Sequence, residues 1–271
     1  MPKPLIPGDL IDSLIQGRAH LFVGSGASAA ANLTGWDALI EEMKIIIRKE
    51  NRDFSSADLE AFLQKEDPLD IADVFRNTVK DHRYFSFLRN HYRRPVSSLS
   101  RLHRAIADLP VKTVFTTNYD KLLETAFRKN KREDPAVIVY PQQLGFIGDT
   151  EIRIIKLHGD IDHPATIILT RTDYATYSSR HRDFERELHQ SINNSTMLFI
   201  GFGIRDPNFR RIYQDARSLY DSGKRLAYAV MVGTNSVEQR LWESDGLKII
   251  SVNRHGEVAT YLRLVRGTVP Q

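Results

Sequence analysis

The chain has 271 residues, 41% hydrophobic and 27% charged, with a formal net charge of +4, proportions that exclude a disordered or fibrous protein. It contains no cysteine, which excludes disulfides, thiol nucleophiles and every cysteine-ligated zinc or iron–sulfur site. The longest apolar stretches, Met197 to Gly203 and Ala227 to Gly233, fall short of the ~20 residues a membrane span needs. The start Met1-Pro-Lys-Pro-Leu-Ile-Pro lacks the apolar region of a secretory signal, so a cytoplasmic protein without membrane contact is expected.

In chain order, the run His20-Leu-Phe-Val ends in Gly24-Ser-Gly-Ala-Ser28, the pattern of a buried strand turning into a helix. Trp36, Leu39, Ile40, Met43, Ile46 and Ile47 recur at spacings of three and four, predicting a helix with one apolar stripe, with Thr34 and Asp37 as its cap. The helical pattern continues from about residue 50 to 108 without a strand, and this stretch reads as a helical insertion. Strands are predicted at Thr113 to Thr117, Val137 to Val139, Ile152 to Leu157, Thr166 to Leu169, Met197 to Ile200, Leu226 to Val232 and Lys248 to Val252. Helices over 119–129, 173–192, 207–220 and 235–244 separate many of them. Alternating strands and helices predict an α/β, Rossmann-like single domain with a mostly parallel sheet covered on both faces.

In such a sheet ligands bind beyond the carboxyl ends of the strands, so polar residues there carry the chemistry. Gly24-Ser-Gly-Ala-Ser-Ala29 follows G-x-G-x-x-A, in which glycines let backbone approach a pyrophosphate and the helix start favours its charge; Ser25 and Ser28 add hydroxyl donors. The acidic residue expected about twenty positions on is missing, because Glu41, Glu42 and Glu50 belong to the following helix. That loop alone therefore reads equally well as a tight turn. Thr116-Thr-Asn-Tyr-Asp120 crowds a second strand end, where capping by Asn118 or Asp120 accounts for one polar residue better than for four. His158, beside Gly159, is the one histidine of nine placed at a strand's carboxyl end, either as a structural residue or as a general base. Gly201 and Gly203 end a hydrophobic strand, with Asp206-Pro207 placed to start a helix.

Taken together, Gly24-Ser-Gly-Ala-Ser28, Thr117-Asn-Tyr-Asp120, Lys156-Leu-His-Gly159, Gly201-Phe-Gly203 and Ser251-Val-Asn253 resemble the nucleotide-binding signature of the sirtuin superfamily. The resemblance implies that Gly24, Ser25, Gly26 and Ser28 cradle the pyrophosphate of NAD, with Gly201 and Gly203 close to the phosphates. It further implies that Asn118 and Asp120 line the nicotinamide–ribose pocket, with Thr117 among the NAD-binding residues, that His158 contacts that ribose, and that Asn253 holds the adenosine ribose. The four zinc-binding cysteines of typical deacylase sirtuins are absent, so no zinc is expected. Thr117 stands where those enzymes carry glutamine, and the phenylalanine–arginine element after the glycine loop is missing. The pattern is more similar to sirtuin-like effector domains of bacterial anti-phage systems.

That resemblance implies an NAD+ glycohydrolase acting in abortive infection, with Asn118 and His158 as catalytic residues. An NAD or ADP-ribose sensor without turnover, and a protein deacylase, are the competing readings. It also implies control by homo-oligomerisation or by a separately encoded partner, a nucleic-acid-translocating ATPase or an Argonaute-like protein, with nucleic acid engaged only indirectly. The basic runs Lys80 to Arg83, Arg101 to Arg104 and Arg128 to Arg132 read as solvated helix faces available for docking.

Overall fold

Within each strand, successive side chains point to opposite faces of the sheet, and the sequence places apolar groups at both. In β1 (Ala19–Val23), Leu21 and Val23 enter one core while Phe22 enters the other. The same division holds in β2 (Thr113–Thr116), where Val114 and Phe115 part, and in β4 (Arg153–Lys156), where Ile154 and Ile155 do. Strands buried on both faces need helices on both, which is what the computed structural model of the protein contains. It describes all residues except 1–4, 53, 66, 94–98, 132–133, 147, 149–151, 202–212, 215–225 and 271, with the side chains of 131 and 238 also left out.

Together with β3 (Ala136–Ile138), β5 (Thr196–Ile200), β6 (Ala227–Val232) and β7 (Leu247–Val252), these strands form one sheet in the order β3-β4-β2-β1-β5-β6-β7. Every pairing is parallel. Apart from the added edge strand β3, this is the doubly wound order in which the chain runs outward from β1 through β2 to β4 and then returns to β5 on β1's other side. Helices α1 (Gly8–Ile15), α6 (Arg101–Asp108), α7 (Leu122–Lys131) and the C-terminal helix α12 (His255–Thr268) cover one face. Tyr177 and helix α10 (Arg182–Asn194), with Trp242 of α11 (Ser236–Ser244), cover the other.

A third apolar cluster is built by α3 (Trp36–Glu50), α4 (Ser56–Lys65) and α5 (Pro68–Tyr92). Leu39, Met43, Leu63, Ile71, Phe75 and Leu88 pack there against Tyr119, Ile161, Ile167 and Leu169, so the three helices sit over the loops that follow β2 and β4. Helix α6, by contrast, contributes Leu102, Ala105 and Ile106 to the main core. Lys80, at φ 65° and ψ 161°, breaks α5.

Several predicted elements change. Thr166 to Leu169 is not a strand: a 3-10 turn spans Pro164–Thr166, and the buried Ile167, Ile168 and Leu169 pack into the cores while Ile168 N–H donates to His158 O. Helix 119–129 starts later, at Leu122, because Asp120 Oδ1 accepts from Leu122 N–H and Asp120 itself stays outside. The single helix over 173–192 is three: α8 (Arg171–Ala175), α9 (Tyr177–Arg180) and α10. A Thr170–Asp173 capping box starts α8, satisfying two backbone donors that a continuous helix would not leave open. Thr34 and Asp37 do not cap α3; Gly35 occupies the cap with no side-chain bond. The predicted helix 207–220 lies mostly outside the described residues.

Candidate nucleotide-binding and catalytic site

The chain order reverses between β1 and β5, and the loops leaving these two strands meet. Gly24 N–H donates to Ile200 O at 2.9 Å, and Gly26 N–H to Gly201 O at 2.7 Å. A Cβ on Gly26 would lie 2.9 Å from Gly201, and one on Gly201 would lie 2.6 Å from Ala27 N. Gly201 also adopts φ +62°, where a side chain is strained. Contact between the two loops thus demands glycine at both positions. Helix α2 (Ser25–Ala29) is one short turn, with Ser25 and Gly26 exposed and Ser28 buried. The Ser28 hydroxyl donates to Asp120 Oδ2 at 2.5 Å.

The loop after β2 is held from below. Thr116 Oγ1 donates to Val23 O at 2.8 Å and accepts from Asn118 N–H at 3.0 Å. The Asn118 amide then donates to Gly24 O at 3.1 Å. Asn118 is 5% exposed, and its Oδ1 is buried with no hydrogen-bond partner. A buried amide oxygen left open costs about 1–3 kcal/mol, and an oxygen so placed can accept from a ligand hydroxyl or from water. Asp120 uses one oxygen for Ser28 and the other for Leu122 N–H. The capping role weighed for this loop belongs to Asp120. Thr117 is half-buried between them.

The loop after β4 carries His158, 6% exposed, with Nδ1 3.4 Å from Tyr174 Oη and its ring edge-on to those of Tyr174 and Tyr177. Gly159, at φ +89°, admits no side chain, since a Cβ would lie 2.1 Å from Thr166 O. Beside it, Lys156 is 1% exposed and reaches four oxygens: Tyr119 O at 3.2 Å, Asp120 O at 2.5 Å, Glu124 Oε1 at 3.0 Å and Asp160 Oδ2 at 2.7 Å. Burial opposes its charge, but the carboxylates of Glu124 and Asp160 outweigh that and hold the ammonium above the usual lysine range. Burial pushes the Glu124 carboxyl up. Asp160 is depressed: burial works against its charge, and Lys156 and Lys121 prevail. Below the Asp120 loop, fully buried His103 contacts Ser100 Oγ at 2.9 Å. Burial lowers its pKa against the pull of Asp120.

The structure therefore brings Gly24, Gly26, Ser28, Asn118, Asp120 and Gly201 into direct contact, and it ties the His158 loop to the Asn118 loop through Lys156. Asn253 stands apart: it is exposed beyond β7, its N–H held by Glu257 at 2.9 Å. Since β7 lies two strands from β5, this is about 10 Å from the Gly201 strand end. Gly203 lies outside the described residues. A pocket of about 630 Å³, lined by residues such as Pro7, Tyr228, Gly246 and Lys248, touches none of these groups. Among the described residues no three His, Asp or Glu side chains are grouped to hold a metal, and no helix is long and apolar enough to cross a membrane. Reading by motif missed Lys156, Glu124, Asp160 and Tyr174 as parts of the site. One signal was present, since a lysine inside the apolar strand Ile154-Ile-Lys-Leu must find buried partners.

Glycine-bearing loops crossing at the reversal point of a doubly wound parallel sheet define a domain of the Rossmann-like class. The particular family is given by the sequence profile of the SIR2-like domain, which matches residues 112–250, just over half the chain, and the protein belongs to that family. The chain is similar to a protein of Bacillus cereus (strain MSX-D12) named NAD(+) hydrolase ThsA, 24% identical over 284 residues, covering 96% of this chain and 56% of the relative. A protein of the same name from Enterococcus faecium is 26% identical over 234 residues, or 85% of this chain and 46% of the relative. Defense-associated sirtuin 2 of Bacillus subtilis is 22% identical over 248 residues, or 89% of this chain and 24% of the relative. The chain spans about half the length of the hydrolase relatives named here.

Proposed function

We propose that this domain hydrolyses NAD+ to nicotinamide and ADP-ribose, as the names of its relatives and its own strand-end chemistry support, and that it acts in anti-phage defence by depleting NAD. The bond between C1′ of the ribose and the pyridinium nitrogen breaks, its electron pair going to nicotinamide. Water adds to C1′, and its proton leaves to His158 or to solvent. Because charge develops on the ribose, the groups that matter are those already fixed around it.

The observation that carries this reading is Asn118 Oδ1, buried and unpartnered while the same amide is anchored to Gly24 O. It is a preset acceptor for the ribose hydroxyl or the attacking water. His158, steadied edge-on by Tyr174 and Tyr177, orients or deprotonates the same hydroxyl or the water. Thr117 and Asp120 line the nicotinamide end, and Asp120 acts chiefly by shaping the loop. The first glycine loop (Gly24, Ser25, Gly26, Ser28) with Gly201 and Gly203 serves the phosphates, and Asn253 serves the adenosine ribose. A cytoplasmic location, homo-oligomerisation and a separately encoded regulator of the translocase or Argonaute-like kind belong to the same proposal.

The test is release of nicotinamide and ADP-ribose from NAD by wild type, Asn118→Ala and His158→Ala, alone and with the product of an adjacent gene. Cleavage by wild type, reduced at least a hundredfold in both variants, is the expected result. Nucleotide binding without turnover under every condition would replace the hydrolase with a sensor.

A further inference from the structure

We infer that Lys156 is a positioning residue that sets Asn118 and His158 in register, by tying the loop after β2 to the loop after β4 through one buried ammonium. Its partners divide between the two loops. Tyr119 O and Asp120 O directly follow Asn118 on the first, while Asp160 Oδ2, two residues beyond His158, belongs to the second. Glu124, on helix α7, completes the shell. An ammonium has three donors and faces four acceptors here, so no proton is spare and the ammonium has no free direction in which to move.

The second loop is then locked from its other side. Asp160 Oδ2 also accepts from Lys121 at 2.8 Å, Asp160 Oδ1 accepts from Asp162 N–H at 2.8 Å, and Asp160 N–H donates to Thr166 Oγ1 at 3.0 Å. Lys121 follows directly on Asp120, so a second lysine repeats the connection between the loops at 35% exposure. Asn118 directly precedes one end of this clamp, at Tyr119, and His158 lies two residues from the other, at Asp160. A shift of either loop changes how both groups address one ribose, and a displacement of about 1 Å can cost about a hundredfold in rate.

The kinetic part of this inference rests on the hydrolase reading, so the experiment has two arms. Lys156→Met alone strips the buried Glu124 carboxyl of its cation, while Asp160 keeps Lys121, and such a variant can fail to fold. The double variant Lys156→Met with Glu124→Gln removes that acid with its partner and leaves the Lys121–Asp160 bridge in place. It is expected to melt closer to wild type than the single variant does. Its kcat nevertheless stays at least tenfold below wild type, with KM within about threefold, the split expected when ground-state binding survives and transition-state alignment is lost. In the second arm, amide exchange should quicken in peptides spanning 116–122 and 157–163 and stay unchanged in β1 and β5. Wild-type kcat in the folded double variant, or unaltered exchange in both loops, would overturn the inference. If wild type itself releases no nicotinamide, the hydrolase reading fails and the exchange arm still decides the positioning role.

Discussion

Gly201→Ala should weaken the fold by about 2–4 kcal/mol through a single contact between loops. At φ +62° an alanine loses roughly 1–2 kcal/mol relative to glycine. Its Cβ would also stand 2.6 Å from Ala27 N, where ordinary van der Waals contact begins at 3.4 Å; the first glycine loop must retreat by most of an ångström. That retreat stretches the Gly26 N–H to Gly201 O bond from 2.7 Å toward the limit of hydrogen bonding, at a further cost of about 1–2 kcal/mol. For a chain of this size the melting temperature should fall by roughly 5–15 °C. Gly8→Ala is the control: its Cβ meets nothing within 4 Å at the start of α1, so it should stay within about 0.5 kcal/mol of wild type. Urea titration of the three proteins decides the matter. A Gly201→Ala variant as stable as Gly8→Ala would show that the two loops do not approach as described and would remove the basis for placing the nucleotide between them.

Ser28→Ala deprives buried Asp120 of a hydroxyl donor and should cost about 1.5–3 kcal/mol in denaturant titration; a loss under 0.5 kcal/mol would mean that Asp120 is not held by Ser28. Stability should also fall with acid. Burial, then Arg153, lowers His20 to about 4, and burial lowers His103 and His181 as well. These folded-state values lie below the unfolded one, so as the pH drops below about 6.5 the unfolded chain takes up protons first and stability declines. His20 alone accounts for up to about 3 kcal/mol between pH 6.5 and pH 4. His20→Asn should flatten that part of the profile, and an unchanged slope between pH 7 and pH 4.5 would exclude His20 as a contributor.

The strands were legible where buried side chains alternate over both faces. The edges of the predicted β2, β5, β6 and β7 agree with the structure to within one residue, and a run such as Thr196–Ile200 is buried at every position. Thr166 to Leu169 has the same local composition and is no strand. Its isoleucines are buried by packing beside His158 and under the α3–α5 helices rather than by pairing, and single-sequence periodicity does not distinguish the two kinds of burial. The breaks between the three helices of Arg171 to Asn194 were likewise hidden, because they fall at Thr176 and His181 with no glycine, proline or side-chain cap to mark them.

At the site, residue order alone determined which groups gather at the strand ends: in a parallel sheet the carboxyl ends share one edge, so Gly24, Asn118, His158 and Gly201 had to lie along it once the strands were placed. Tertiary structure decided how those residues divide the work. Asp120, adjacent in sequence to the Asn118 segment, is consumed by Ser28 and a helix cap, whereas Asn118 keeps an open buried acceptor. Asn253 falls two strands away from Gly201. Lys156 gained its role only when Glu124 and Asp160 closed around it. Hydrogen-bond partners far apart in sequence are set by the packing of loops, and local pattern carries no record of which oxygen faces which donor.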